Sequence, residues 1–275
     1  VSVDAPAGFD VSVVPSTIRL KPGQSATYEV TVTNVSAPAG EWRHGSLTWS
    51  DRSQQYDVYS PISVNGATVG FPDAVSGSGV DGGTSFDVSF GYTGPYTAAA
   101  HGLEAATVDS GTVLQDPDQN FDPSDGFSDA VTVTTSGAAL LRFAMPPDAV
   151  ASTDIDIDLF LADPSGSIVA ASTNGGTDEF IEIVLPADGD WTLYVHGWQT
   201  AGPSADYDLY SWVVSATPGG NMSIDSAPAS ATTGATDAVD VSWSGAAAGE
   251  WHLGAVSHAD GSGLLGLTLV EVDNR

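Results

Sequence analysis

The sequence predicts an all-β protein built as tandem β-sandwiches. Apolar residues alternate with polar ones in short runs, which is the signature of strands with one buried face. Gly (31) and Pro (16) punctuate those runs along a chain of 275 residues. Long stretches of Glu, Lys, Gln and Leu, which would read as helices, are missing. At 41% hydrophobic the chain can bury a sizeable core, so it is not a disordered acidic tail.

Residues 1–65 read as a first sandwich on an immunoglobulin-like or fibronectin-like plan. Val11 to Pro15 leads to a Lys21-Pro22-Gly23-Gln24 turn. Ala26 to Asn34 then alternates, with Tyr28, Val30 and Val32 on one face. Trp42 to Val64 supplies a hairpin: Gly45, Leu47 and Trp49 alternate with small polar residues, Ser50-Asp51-Arg52-Ser53 turns the chain, and a second run ends in Ser60-Pro61-Ile62. Residues 66–118 form a smaller β unit around the strand Thr84–Phe90 and the turn Gly91–Pro95.

Residues 119–216 form a third, jelly-roll-like unit. It opens on an acid-rich loop, and its strands include Ala130–Thr135, Leu140–Phe143, Asp154–Leu161, Phe180–Val184, Trp191–Val195 and Tyr207–Val214. Asp163-Pro164-Ser165-Gly166 and Pro186-Ala187-Asp188-Gly189 are turns. Residues 217–275 form a last β segment that echoes residues 66–118. Asp87-Val88-Ser89-Phe90 corresponds to Asp240-Val241-Ser242-Trp243, and Gly94-Pro95-Tyr96 to Gly249-Glu250-Trp251. The echo fits two mini-domains or two halves of one sandwich.

Charge narrows the partners. Acids outnumber bases 35 to 6, for a net charge of −29. Phosphate binding needs clustered Lys and Arg, so nucleic acid is nearly excluded, and anionic membranes are repelled. No cysteine is present, which removes disulfides, thiolate chemistry and sulfur-ligated zinc. No apolar run is long enough to span a membrane as a helix. The chain opens inside a strand-like run, Val1-Ser2-Val3, and reads as a piece of a longer secreted protein.

The hairpin is similar to one at the C-terminal end of subtilisin-like serine proteases, in their fibronectin-III-like domain. The shared pattern is Gly45-x-Leu47-x-Trp49-x-Asp51, then Ser60-Pro61-Ile62, with Tyr59 where that family usually has Arg. The third unit resembles a bacterial pre-peptidase C-terminal domain through Asp156-Ile157-Asp158-Leu159, Asp163-Pro164-Ser165-Gly166 and Gly189-Asp190-Trp191-Thr192-Leu193-Tyr194-Val195. Gly91–Tyr96, Val195–Thr200 and Leu253–His258 look like the C-terminal region of actinobacterial members of the same protease family. The resemblance implies an accessory region of a secreted protease whose catalytic domain lies outside these residues.

The catalytic motifs of that family do not appear. The nearest run to a nucleophile motif, Gly83-Thr84-Ser85-Phe86-Asp87, continues into a strand rather than a helix. His258 with Ser257 and Asp260 makes a triad only on paper, because three neighbours on a turn do not converge. The expectation is no enzyme activity in this segment.

Three features invite a ligand. Asp154, Asp156 and Asp158 share a strand face, where like charges repel without a counter-ion. They are either solvated carboxylates or a hard-cation site of oxygen ligands suited to calcium; no cofactor is otherwise required. Asp116, Asp118, Asp122, Asp125 and Asp129 lie in a loop that is either a solvated linker or ordered by metal. Trp198, Tyr92 and Tyr96 stand near turns as a candidate aromatic platform for sugar rings or a fibrous protein, against the alternative of core or edge packing. His196 reads as a surface or packed imidazole. The expected function is therefore a non-catalytic accessory region that stabilises, spaces or helps capture substrate. The alternatives are an independent carbohydrate- or protein-binding module and a self-assembling surface or fibre component.

Overall fold

The computed structural model describes residues 1–151 and 154–275, and the fold is nearly all β. The first sandwich packs the sheet β1 (Ser2–Asp4), β4 (Trp42–Ser50) and β5 (Asp57–Asn65) against the pair β2 (Phe9–Val14) and β3 (Glu29–Asn34). The hairpin register sets Leu47 opposite Ser60 and Trp49 opposite Val58. One face therefore carries the apolar residues, as the alternation requires. Phe9, Val13, Ala37 and Leu47 are buried, whereas Tyr28 and Val30 stay largely exposed, so this core is small. Gly45 is where β1 comes closest: a Cβ there would lie 2.3 Å from the Asp4 carbonyl oxygen. Asp51 ties the turn, its Oδ1 accepting the backbone N–H groups of Gln55 and Tyr56. These bonds and that from Ser53, the largest influence, lower its pKa to about 2.

The chain continues through β6 (Val69–Gly70), β7 (Ala74–Gly77), β8 (Gly82–Phe90), β9 (Gly94–Pro95) and β10 (Thr97–Ala105). It then leaves to build a separate two-sheet body. The strands are β11 (Thr107–Leu114), β12 (Ser128–Thr135), β13 (Ala138–Met145), β14 (Asp156–Ala162), β15 (Ile168–Ser172), β16 (Glu179–Val184), β17 (Gly189–Gln199) and β18 (Ser204–Ser215). They form antiparallel sheets in the orders β11-β18-β13-β16 and β12-β17-β14-β15. Between the sheets Leu141, Phe143, Ile157, Leu159, Leu193, Val195 and Leu209 are fully buried. Each such side chain stabilises the body by about 1.5–3 kcal/mol relative to exposure. The sequence boundary at residue 119 differs from this body's edge. Thr107–Leu114 pairs along its whole length with β18, so the body begins at β11.

The last strands are β19 (Met222–Ser226), β20 (Ser230–Ala231), β21 (Thr236–Trp243), β22 (Trp251–Ala259) and β23 (Leu264–Asp273). They join the strands of residues 66–106 in shared sheets, ordered β19-β21-β8-β6 and β10-β22-β23-β7. One sandwich is thus made from two stretches of chain, and the jelly roll is inserted between them. The sequence echo has a direct meaning here. β8 and β21 are antiparallel neighbours in one sheet, and β10 and β22 are antiparallel neighbours in the other.

The inserted body is held against its host by a mixed core. Leu140, Ala144, Trp212 and Val214 meet Trp251, Leu253, Ala255 and Leu269. Arg142 lies among the rings of Phe180, Trp212 and Trp251, paired with Glu271 and, at 3.4 Å, with Glu182. His101 of β10 spans the same boundary, its Nδ1–H donating to the Ser215 carbonyl at 3.0 Å.

Candidate functional site

A cleft of about 680 Å³ opens on the outer face of the jelly-roll sheet that contains β14 and β17. Strand alternation puts Asp156, Asp158 and Phe160 of β14 on that face, beside His196 and Trp198 of β17. The register sets Asp158 opposite His196. The acid-rich loop after β11 folds over the same face and adds Gln119, Asn120 and Phe121. Phe121 stacks on Phe160 with ring centroids 3.9 Å apart and planes within 6°. Thr173, Asn174 and Gly175, between β15 and β16, form the opposite rim.

Its floor is a carboxylate–imidazole–carboxylate row. His196 Nε2–H donates to Asp116 Oδ2 at 2.8 Å, and Nδ1 lies 3.6 Å from Asp158 Oδ2. The imidazole is only 1% exposed. Burial opposes its charge, but the flanking carboxylates of Asp158 and Asp116 prevail and raise its pKa. Burial likewise opposes the Asp116 charge, yet His196 and the Asp118 and Asn120 N–H groups together lower its pKa. Burial raises the Asp156 pKa, and the neighbouring Asp158 charge adds to it. Glu179, buried beneath the rim, is raised by the same two influences.

The acidic loop is ordered by its own carboxylates. Asp116 accepts the N–H groups of Asp118 and Asn120, Asp122 that of Ser124, and Asp125 that of Phe127. Asp129 accepts the Tyr207 hydroxyl. Gln115 and Gln119 donate side-chain N–H bonds to the Trp198 carbonyl, which fixes the rim of the cleft.

The three aspartates expected to share a face part company. Asp154 is exposed and precedes β14, whereas Asp158 is buried against His196. Among the described residues no group of three His, Cys, Asp or Glu side chains is arranged to hold a metal ion. Asp156 and Asp158 keep the shared face, and both line the cleft.

The aromatic platform divides as well. Trp198 is half-buried at the cleft. Tyr96 is buried in the host sandwich, where its hydroxyl donates to His258 Nδ1 at 2.6 Å. Tyr92 donates its hydroxyl to the Pro95 carbonyl in the same region. Tyr96 follows a turn in sequence, but it starts the approach to β10 and points inward. The paper triad is dispersed too: Ser257 pairs with His101, Asp260 caps its own turn through the Ser262 and Gly263 N–H groups, and His258 points into the core. Ser85 lies within β8.

Sequence reasoning missed the Asp116–His196–Asp158 row and the Phe121–Phe160 stack. The alternations Asp158-x-Phe160 and His196-x-Trp198 were visible signals, but only pairing of β14 with β17 makes them one site.

Residues 1–64 match a family model described as a fibronectin type-III domain, and residues 127–197 match one described as a bacterial pre-peptidase C-terminal domain. The chain therefore carries a fibronectin type-III-like domain followed by a pre-peptidase C-terminal domain, and neither type is catalytic. Comparison with curated proteins gave no match. Among solved structures the chain is similar to one described as CBM51-2 in complex with GlcNAc and INT domains from Clostridium perfringens ZmpB. The identity is 9% and the TM-score 0.21, covering 75% of this chain and 41% of that one. The chain thus spans less than half of that structure, and a likeness this slight carries no argument about function.

Proposed function

We propose that this chain is a non-catalytic C-terminal accessory region of a secreted subtilisin-like serine protease. It stabilises the enzyme, spaces it from its surroundings or helps capture its substrate. The order of the two matched domains carries this reading, because pre-peptidase C-terminal domains follow catalytic domains in secreted bacterial proteases. An extracellular location follows from the same reading. No described helix is long and apolar enough to cross a membrane, which leaves that location open to it. The dispersal of Ser257, His258 and Asp260 supports the absence of a nucleophile. The sequence encoded upstream of Val1 is the test: a subtilisin-like catalytic domain supports the proposal, and a different neighbour defeats it. A fluorophosphonate probe that labels the isolated chain would overturn the non-catalytic part.

The cleft favours a second reading alongside the first, capture of an extracellular polymer or protein. It is a polar and aromatic recess on a rigid sheet, which is the form binding sites take.

A further inference from the structure

The cleft's lining is chemistry suited to a sugar. A sugar ring offers C–H faces that lie on aromatic rings and hydroxyls that both donate and accept hydrogen bonds. Phe121, Phe160 and Trp198, each half-buried, supply an aromatic wall in which Phe121 and Phe160 stack on each other. Asp156 spends one oxygen on the Gly176 N–H at 3.1 Å. Asp158 faces an imidazole nitrogen 3.6 Å away, beyond hydrogen-bond reach. His196 Nδ1 has no hydrogen-bond partner although the residue is 1% exposed, while Nε2 is held by Asp116. A buried polar atom left unpaired beside a cleft is costly, and a ligand hydroxyl joined to Asp158 offers relief.

We infer that this cleft binds a neutral saccharide, with one ring against Trp198 and hydroxyls on Asp156 and Asp158. The inference rests on the capture reading and gives it a ligand class. The volume of about 680 Å³ suits a small ligand or one to two rings of a longer glycan. A cationic peptide side chain is the rival occupant, since no Lys or Arg lines the cleft. Against it, the rim offers neutral amide and hydroxyl groups rather than carboxylates. Asn120, Thr173 and Asn174 at the rim suit hydroxyl partners.

The test is calorimetry of the whole chain with neutral trisaccharides (cellotriose, chitotriose, xylotriose and maltotriose) and with tri-arginine. At least one trisaccharide should bind saturably. Trp198→Ala and Asp158→Asn should each weaken it at least tenfold, and Trp42→Ala, on the first sandwich, should leave it unchanged. In the unsubstituted chain the same sugar should shift the Trp198 indole N–H resonance, which keeps the test decisive if a variant misfolds. No saturable sugar, binding indifferent to Trp198→Ala, an unmoved Trp198 resonance, or binding of tri-arginine alone would each overturn the inference. Those outcomes leave the accessory reading to be judged by the upstream domain.

Discussion

Lowering the pH from 7 to 4 should weaken the discontinuous sandwich through His258. This side chain is 0% exposed and lies stacked on Phe71 at 4.2 Å. Its tautomer is fixed by a chain of donors. The Tyr96 hydroxyl donates to Nδ1, Nε2–H donates to Thr268 Oγ1, and the Thr268 hydroxyl donates to the Pro72 carbonyl. No position remains for a second proton. Burial lowers the pKa from 6.5 to about 4. The unfolded chain therefore binds a proton in this window that the folded chain refuses. For a depressed histidine the stabilisation is complete above about pH 6.5 and disappears as pH falls toward 4. The span is worth about 3 kcal/mol. Urea unfolding of the wild type and of His258→Gln, from pH 7.5 to 4, isolates this contribution, because the other titrating groups cancel in the difference. The stability gap between the two should narrow by about 3 kcal/mol as pH falls. An unchanged gap, or a His258 ring resonance that titrates near 6.5, would refute the reasoning.

Asp116→Asn should lower the His196 pKa and release the loop over the cleft, with amide exchange at residues 118–127 rising about tenfold; unchanged exchange would show that Asp116 does not anchor it. The pair's contribution has two limits. It fades at high pH as His196 passes its raised pKa, and at low pH as Asp116 passes its lowered one, so wild type and variant should converge at both ends. Arg142→Ala should cost about 2 kcal/mol in thermal or urea unfolding, because it removes the buried guanidinium from among Phe180, Trp212 and Trp251 and leaves the partly exposed Glu182 and Glu271 without their partner. A loss below about 1 kcal/mol would mean that the apolar contacts alone hold the insertion to its host.

Local pattern made much of this fold legible. Thr84–Phe90, Trp191–Val195 and the Leu47 hairpin all alternate and all became strands. Trp49, Trp191, Trp212 and Trp243 all lie in alternating runs, which points to core for most of them; the last three are buried and Trp49 is half-buried. What failed depended on which distant segment covers a face. Asp158 looked solvated because nothing in its own strand says that Phe121 and its loop will lie over it. For Tyr96 the sequence left platform and core packing both open, and it is a partner 162 residues away that draws its hydroxyl into the core. Residues 107–114 were assigned to the wrong body because a strand's own composition does not say which sheet edge it will join. The acidic loop illustrates the same limit: its carboxylates looked like metal ligands or free charges, and they serve as acceptors for neighbouring N–H groups.

The interrupted sandwich also imposes an order on synthesis. Residues 66–106 emerge from the ribosome as half a structure, and β7 finds its parallel partner in β23 only when the final strand of the chain has appeared. In the meantime Phe86, Val88 and Tyr96 wait without the side chains that will cover them. The intervening jelly roll can close first, because both of its sheets use only its own strands. Nascent chains whose first 217 residues have cleared the ribosome should thus carry two finished bodies, the first sandwich and the jelly roll, beside a sticky, unfinished one, and these are the species on which holding chaperones would act.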